Sequence, residues 1–319
     1  MGVSGVPERS DGDRGTVVAI GVFDGVHRGH QGLISRARER ADALGLSLVA
    51  VTFDPHPASV VPGRHAPEML TTLAERTELL RSAGADQVVV LRFDEKLARM
   101  GPAAFVDEVL VGELGARVVV VGENFRFGHQ AAGDVEVLSA LGAERELEVI
   151  GVPLHPADLP WSSSRVRQAL ASGEVEQAAH LLGRPYRLSG VIVHGDHRGR
   201  ELGYPTANLD WQGHRTVPAE GVYAGWLIDS DAAERLPAAI SVGTNPQFAG
   251  QQQRVEAYVI DRSGLDLYGH RVAIEFVERL RSQETFDSVD GLIAQMGRDV
   301  DTAREVLARS EGFPGRAKG

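Results

Sequence analysis

The chain has 319 residues, 43% hydrophobic and 24% charged, an ordinary globular balance with length for about two domains. It has no cysteine, which excludes disulfides, thiolate metal sites and cysteine nucleophiles and fits a reducing compartment. The formal net charge is −11 with no basic stripe, which argues against a nucleic-acid partner; an acidic chain that handles anions must gather its donors in local islands.

Residues 1–15 are polar and lack the apolar stretch of a secretory signal, so they are expected to be a disordered tail, as are residues 311–319. No apolar run approaches the roughly eighteen residues of a membrane span, so no membrane partner is expected and the expected location is the cytoplasm. From Thr16 to Gly151, nearly continuous Val-rich runs alternate with amphipathic helices. The runs are Val17–Phe23, Leu46–Phe53, Gln87–Phe93, Arg117–Gly122 and Leu147–Val152. The helices are His30–Leu44, stopped by Gly45, then Leu73–Ser82, Ala103–Leu114 and Val135–Leu141. This alternation predicts an α/β domain with a doubly wound parallel sheet, whose ligands bind beyond the carboxyl ends of the strands. After Pro153, Pro156 and Pro160, two helices are expected, from Ser162–Ser164 to Gly173 and from Glu174 to Leu182. The texture then becomes all-β. The runs Arg187–His194, Gly221–Ile228, Ala238–Val242, Arg254–Ile260 and Arg271–Glu278 predict a small antiparallel barrel, closed by a helix over Ser288–Ser310. The expected domains are 16–182 and 183–310.

Gly21-Val-Phe23-Asp24-Gly-Val-His27-Arg-Gly29-His30-Gln31 links the first strand to the first helix. Such a turn is an anion site, because backbone N–H groups and the helix dipole both favour phosphate. Glycines let the backbone approach closely, and His27 and His30, either side of Gly29, can reach one triphosphate. Ser162-Ser163-Ser164-Arg165-Val166-Arg167 offers hydroxyls for a helix cap and for phosphate, and Arg167 adds a forked cation. Thr52-Phe53-Asp54-Pro55-His56-Pro57 and Gly122-Glu123-Asn124-Phe125-Arg126-Phe127-Gly128 follow later strands and fall on the same ligand edge.

The second half carries Gly190-Val-Ile-Val-His194-Gly195-Asp-His-Arg-Gly199-Arg-Glu-Leu-Gly203-Tyr204-Pro205-Thr206-Ala207-Asn208. Its glycines and two arginines suit a loop that wraps phosphates. Thr206 and Asn208 are two apart, so an extended segment puts both oxygens on one side, where with phosphate oxygens and water they complete a Mg²⁺ shell. Glu256 lies in an alternating run between Val255 and Ala257, on the face turned to a site or to solvent.

The first two segments resemble the His-x-Gly-His and Ser-Ser-Ser/Thr-x-x-Arg signatures of the nucleotidylyltransferase superfamily. All four N-terminal segments together resemble the adenylyltransferase module of prokaryotic FAD synthetases. Residues 190–208 resemble the riboflavin kinase signature, down to its Gly-[Phe/Tyr]-Pro-Thr-Ala-Asn ending. Glu220–Tyr223, Ser241–Pro246, Asp266–Gly269, Leu280-Arg281 and Phe286–Ser288 continue the pattern, so the resemblance to bifunctional riboflavin kinase/FAD synthetases covers about residues 16–310. It implies that the C-terminal domain phosphorylates riboflavin to FMN and the N-terminal domain adenylylates FMN to FAD, with ATP and Mg²⁺. It implies Asn124 as a nucleotide or flavin-phosphate contact and Glu256 as the base that accepts the ribityl hydroxyl proton. It also implies Gly190, Gly195, Gly199, Gly203 and Pro205 as binding positions, and Arg281 and Phe286 as parts of a flap over the flavin. FMN, in contrast, arrives as an anion and needs no base, so Gly21, Phe23, Asp24, Gly29, His27, His30, Ser163, Ser164 and Arg167 suffice to align it with ATP and neutralise charge. Two departures stand out. Tyr258 replaces a frequent His, and Gln130-Ala131-Ala132 replaces a more basic stretch. The expected partners are small molecules, ATP, riboflavin and FMN, bound by a monomer or weak homo-oligomer. The alternatives are a nucleotidylyltransferase for another substrate with an accessory barrel, and a flavin-binding protein without turnover.

Overall fold

The structure, a computed structural model, describes residues 3–4, 15–153, 161–195, 202–244, 253–262 and 264–310. Packing divides the chain into two units, Met1–Ser163 and Ser164–Gly319.

In the first unit six strands form one sheet. They are β1 (Val3–Ser4), β2 (Thr16–Ile20), β3 (Ser47–Asp54), β4 (Gln87–Arg92), β5 (Ala116–Gly122) and β6 (Glu148–Val152). Their spatial order is β1-β4-β3-β2-β5-β6, with β2 to β6 mutually parallel. β1 is antiparallel to β4, so two residues of the expected N-terminal tail pair with Leu91 and Val90. Successive residues of each strand face opposite layers. Val17, Ala19, Leu48, Ala50, Val118 and Val120 pack with Leu33, Ile34, Ala37 and Ala41 of α1 (Arg28–Leu44) and Leu80 of α2 (Leu73–Ser82). Val18, Ile20, Val49, Val51, Val119 and Val121 pack with Phe105, Val106, Val109, Leu110 and Leu138 on the other face. Both faces are covered, which explains the unbroken apolar runs.

The helix expected over 103–114 opens as α3 (Pro102–Ala104) and continues as a π-helix, Phe105–Glu113. Its wider winding is visible in the Leu114 N–H donating to Val109 O at 3.0 Å. The buried positions, Phe105, Val106, Val109 and Leu110, suit either winding, so periodicity did not distinguish them. α4 (Val135–Ala143) is capped by Asp134. Because the chain leaves β2 toward β3 and β4 on one side and reaches β5 and β6 on the other, the topological switch point lies between β2 and β5.

The second unit begins within α5 (Ser163–Ala171), followed by α6 (Val175–Leu182). α6 packs on two barrel strands, burying Val175, Ala178, Leu181 and Leu182. Packing groups most of α5 and all of α6 with the barrel. The barrel strands are β7 (Tyr186–Val193), β8 (Thr206–Asp210), β9 (Gly221–Asp229), β10 (Glu234–Thr244), β11 (Gln253–Val259) and β12 (Arg271–Arg281). They close as β10-β11-β8-β7-β12-β9, all antiparallel. β8 was not among the strands expected from sequence. α7 (Val289–Ser310) lies on β9, β10 and β12, where Ala303, Val306 and Leu307 bury against Ala224, Trp226 and Ala239.

Candidate active sites

The turn from Gly21 to His30 stands at the carboxyl end of β2, at the switch point. Its backbone is unusual. Phe23, Gly25 and Val26 have φ of 54°, 78° and 40°, and left-handed Phe and Val cost energy that the surroundings must over-determine. His27 caps α1, its Nδ1 accepting from the His30 N–H at 3.4 Å. The two imidazoles stack with centroids 3.6 Å apart, and the Phe23 ring meets His30 edge-on at 5.1 Å. Gly29 is needed for close approach, since a Cβ there would stand 3.2 Å from the His27 ring and 3.4 Å from Trp161 Cβ. His30 Nδ1 is buried without a hydrogen-bond partner. Burial, then His27, then Arg76 hold the His30 pKa well below the usual histidine value, so the ring is neutral at pH 7.

Asp24, expected among the nucleotide contacts, points its carboxylate into the fold. Its carboxylate accepts from Leu70 N–H at 3.1 and 3.0 Å, from Thr71 N–H at 3.1 Å and from the Thr71 hydroxyl at 3.1 Å, and it is buried. Ser163 Oγ donates to Asp24 O at 2.9 Å, a bond within the first unit. Ser164 and Arg167 follow in α5. Gly21 leaves β2 with its N–H bonded to Val51 O at 3.1 Å. Asn124 is exposed in the turn after β5, on the opposite side of the switch point from β3. Residues 130–132 form a tight turn in which Gln130 and Ala131 have φ of 55° and 58°.

Sequence reasoning missed Arg76. This guanidinium is 2% exposed, and its Nη1 donates to Val22 O at 2.9 Å, Thr52 Oγ1 at 3.2 Å and Phe53 O at 3.3 Å. A signal was present, because Arg76 takes a stripe position between Leu73 and Leu80 where an apolar residue belongs.

In the barrel, register assembles the second site. β11 pairs with β8 so that Glu256 faces Asn208 and Tyr258 faces Thr206. All four therefore project from one face, and Thr206 Oγ1 donates to Glu256 Oε2 at 3.0 Å. Asn208 Nδ2 donates to Thr206 O at 3.4 Å. Val193 pairs with Asn208, and the chain turns straight into the glycine loop. A Cβ on Gly195 would stand 2.3 Å from Asn208 Nδ2, so only glycine lets this loop press onto Asn208. Gly190 serves the strand pairing itself, facing Asp210 O at 2.2 Å from a notional Cβ. Gly203 has φ of 86° in the turn that leads through Pro205 into β8. Gly199 lies outside the described residues.

The line continues across the sheet. Ser241 faces Glu256 on the other side, Val222 faces Ser241, and Arg281 faces Val222. Gln283 Nε2 donates to Ser241 Oγ at 3.0 Å and Val242 O at 2.9 Å. Arg281 makes a two-pronged pair with Asp299 of α7, at 3.0 Å from Nε and 2.7 Å from Nη2, and Phe286 lies 5.8 Å from its guanidinium carbon. The two expected flap residues are thus neighbours, with Arg281 turned to α7. Tyr258 packs edge-on against Tyr204 with centroids 5.1 Å apart. The donor set of Thr206, Asn208 and Glu256 is made of hard oxygens, as a small divalent cation requires.

Residues 9–165 match the FAD synthetase family and residues 182–307 the riboflavin kinase family. Curated proteins called bifunctional riboflavin kinase/FMN adenylyltransferase match across almost the full length. The Escherichia coli K12 protein is 36% identical over 91% of this chain and 92% of its own, and that of Pseudomonas fluorescens 37% over 93% and 94%. The chain belongs to the bifunctional riboflavin kinase/FMN adenylyltransferase family. The Bacillus subtilis member is more distant, at 33% identity over 90% of this chain. A crystal structure described as a macrolide-efflux protein from Streptococcus pneumoniae superposes with a TM-score of 0.83 at 33% identity, covering 91% of this chain and 94% of that one. No described helix of this family member is long and apolar enough to cross a membrane. The family match spans both the switch-point turn and the Thr206–Glu256 patch.

Proposed function

We propose that the barrel phosphorylates riboflavin to FMN and that the parallel-sheet domain adenylylates FMN to FAD, both with ATP. The observation that supports this reading is that one chain of the bifunctional family pairs a stacked-histidine turn at the end of a parallel-sheet strand with an oxygen-bearing Thr206–Asn208–Glu256 patch in a barrel.

In the barrel, the attacking group is an alcohol. As the ribityl oxygen bonds to the γ-phosphorus and the bond to ADP breaks, the hydroxyl proton passes to Glu256. Thr206 already donates to that carboxylate, which orients it. Thr206 and Asn208 would hold Mg²⁺, which neutralises phosphate charge. Gly190, Gly195, Gly199, Gly203 and Pro205 are assigned to nucleotide and flavin binding, and Arg281 and Phe286 to the cover over the flavin.

In the parallel-sheet domain, an FMN phosphate oxygen attacks the α-phosphorus of ATP and pyrophosphate leaves. No proton has to be removed. The protein aligns the partners and stabilises the leaving charge. A neutral His30 donates a hydrogen bond without adding a full charge, with His27, Ser163, Gly21, Phe23 and Gly29 around it, and Ser164 and Arg167 are assigned to the same reaction by the family's second phosphate signature. Asn124 contacts the nucleotide or flavin phosphate from across the switch point. We place the protein in the cytoplasm, as a monomer or weak homo-oligomer with small-molecule partners only.

Riboflavin, ATP and Mg²⁺ mixed with the purified protein, with products resolved by chromatography, test the reading. FMN followed by FAD is expected. Tight flavin binding without product would overturn it, and FAD arising only from supplied FMN would remove the kinase half.

A further inference from the structure

The left-handed residues of the switch-point turn need something to hold them, and the segment from Leu70 to Arg76 grips the turn at two points. Just before α2, Leu70 N–H, Thr71 N–H and the Thr71 hydroxyl all bind the Asp24 carboxylate. The Thr71 hydroxyl oxygen also accepts from Gly25 N–H at 3.2 Å. One turn further on, Arg76 reaches back to Val22 O. Phe23, Gly25 and Val26, with their positive φ, fall within or beside this grip.

Arg76 does more than hold the turn. The same Nη1 reaches Thr52 Oγ1 and Phe53 O, and Thr52 Oγ1 donates to Val22 O at 2.9 Å. The guanidinium therefore rivets the chain just past β2 to the carboxyl end of β3. Burying an arginine at 2% exposure, with its Nε left unpaired, is costly, so the position calls for more than packing.

Building on the proposed adenylyl transfer, we infer that Arg76 is a positioning residue for that reaction, fixing the turn that carries His27 and His30. The groups that act on His30 are few. His27 faces it from the same turn and Arg76 from α2, while Arg76 is itself balanced by Asp24 in the turn and Asp54 at the end of β3. Removing the positive charge lets His30 take a proton more easily, and a protonated His30 no longer presents the neutral ring.

The test compares the wild type, Arg76→Met and Arg76→Lys by three readouts: FMN adenylylation against pH, riboflavin phosphorylation by the same preparations, and the His30 ring titration by NMR. The His30 signal is assigned by its loss in His30→Ala. Arg76→Met is expected to lower adenylylation kcat/KM about a hundredfold, the size of a roughly 1 Å misplacement. Phosphorylation should stay within about twofold, since the hydrogen bonds of Arg76 lie within the first unit. The His30 titration and the acidic limb of adenylylation should both move to higher pH. Arg76→Lys, which keeps the charge and loses the fork, should lose rate with the limb left in place. Adenylylation near the wild-type rate in Arg76→Met, an unmoved His30 titration, or an equal fall in both activities would overturn the inference. A wild type that makes no FAD from FMN would instead overturn the underlying reading, and the NMR titration would still judge the charge effect.

Discussion

Glu256 and His30 face opposite demands. Glu256 must take a proton from an alcohol, and it sits half-buried, in line with Asn208 and bonded by Thr206. Glu256→Gln keeps the shape and removes the acceptor. FMN formation should fall by about 10²- to 10⁴-fold, the usual worth of a general base, while FAD formation from supplied FMN is unchanged. Product chromatography from riboflavin and from FMN reads both, and a near-full kinase rate would show that Glu256 is not the base. His30 must instead stay neutral beside an anion, and burial secures this before any neighbour acts. His30→Ala or Arg167→Ala should stop FMN adenylylation and leave phosphorylation intact. The motifs that point to these residues are short and contiguous in the sequence. Arg76 was not legible in this way, because its three acceptors come from residues far apart in the chain.

At the scale of elements, the kinase patch depends on how closely β7, β8 and β11 meet. Gly195→Ala would thrust a methyl group to 2.3 Å from Asn208 Nδ2, so loop or Asn208 must move. The expected result is loss of phosphorylation with adenylylation retained, seen in the same two assays. β8 itself escaped notice because Thr206–Asp210 is short, follows Gly203 and Pro205, and shows little burial contrast before Leu209. The neighbouring β11 alternates cleanly and was easily seen. A second element-scale device joins the end of β9 to the residue before β12, where His270 Nδ1 and Asp229 Oδ2 are 2.8 Å apart. The hydrogen bond to Asp229 raises the His270 pKa. Burial works to raise that of Asp229, but His270 and the N–H groups of Ala232 and Asp231 outweigh it and lower it. The pair is therefore fully stabilising between the two titrations. Its histidine share is complete below about 6.5, the unfolded value, and is lost as pH rises through the higher folded value. The gap in Tm between the wild type and His270→Gln should shrink from pH 6 to pH 9 by thermal melts; a gap that widens would contradict the assignment.

At the scale of the molecule, alternating runs announced a parallel sheet and turn-rich β runs a barrel, because burial on two faces or one leaves different patterns. The division between units was less legible. The apolar stripe of α6 states that it must pack, and nothing in it says against which half; Val175, Ala178, Leu181 and Leu182 lie with the barrel. The two activities are expected to run at two independent sites of the one chain. Complementation tests this most directly, with riboflavin, ATP and Mg²⁺ given to Glu256→Gln, to His30→Ala and to their mixture. Neither variant alone should make FAD from riboflavin, and the mixture should, as FMN released by His30→Ala is adenylylated by Glu256→Gln. A mixture that accumulates FMN without FAD, or forms neither, would contradict two independent sites.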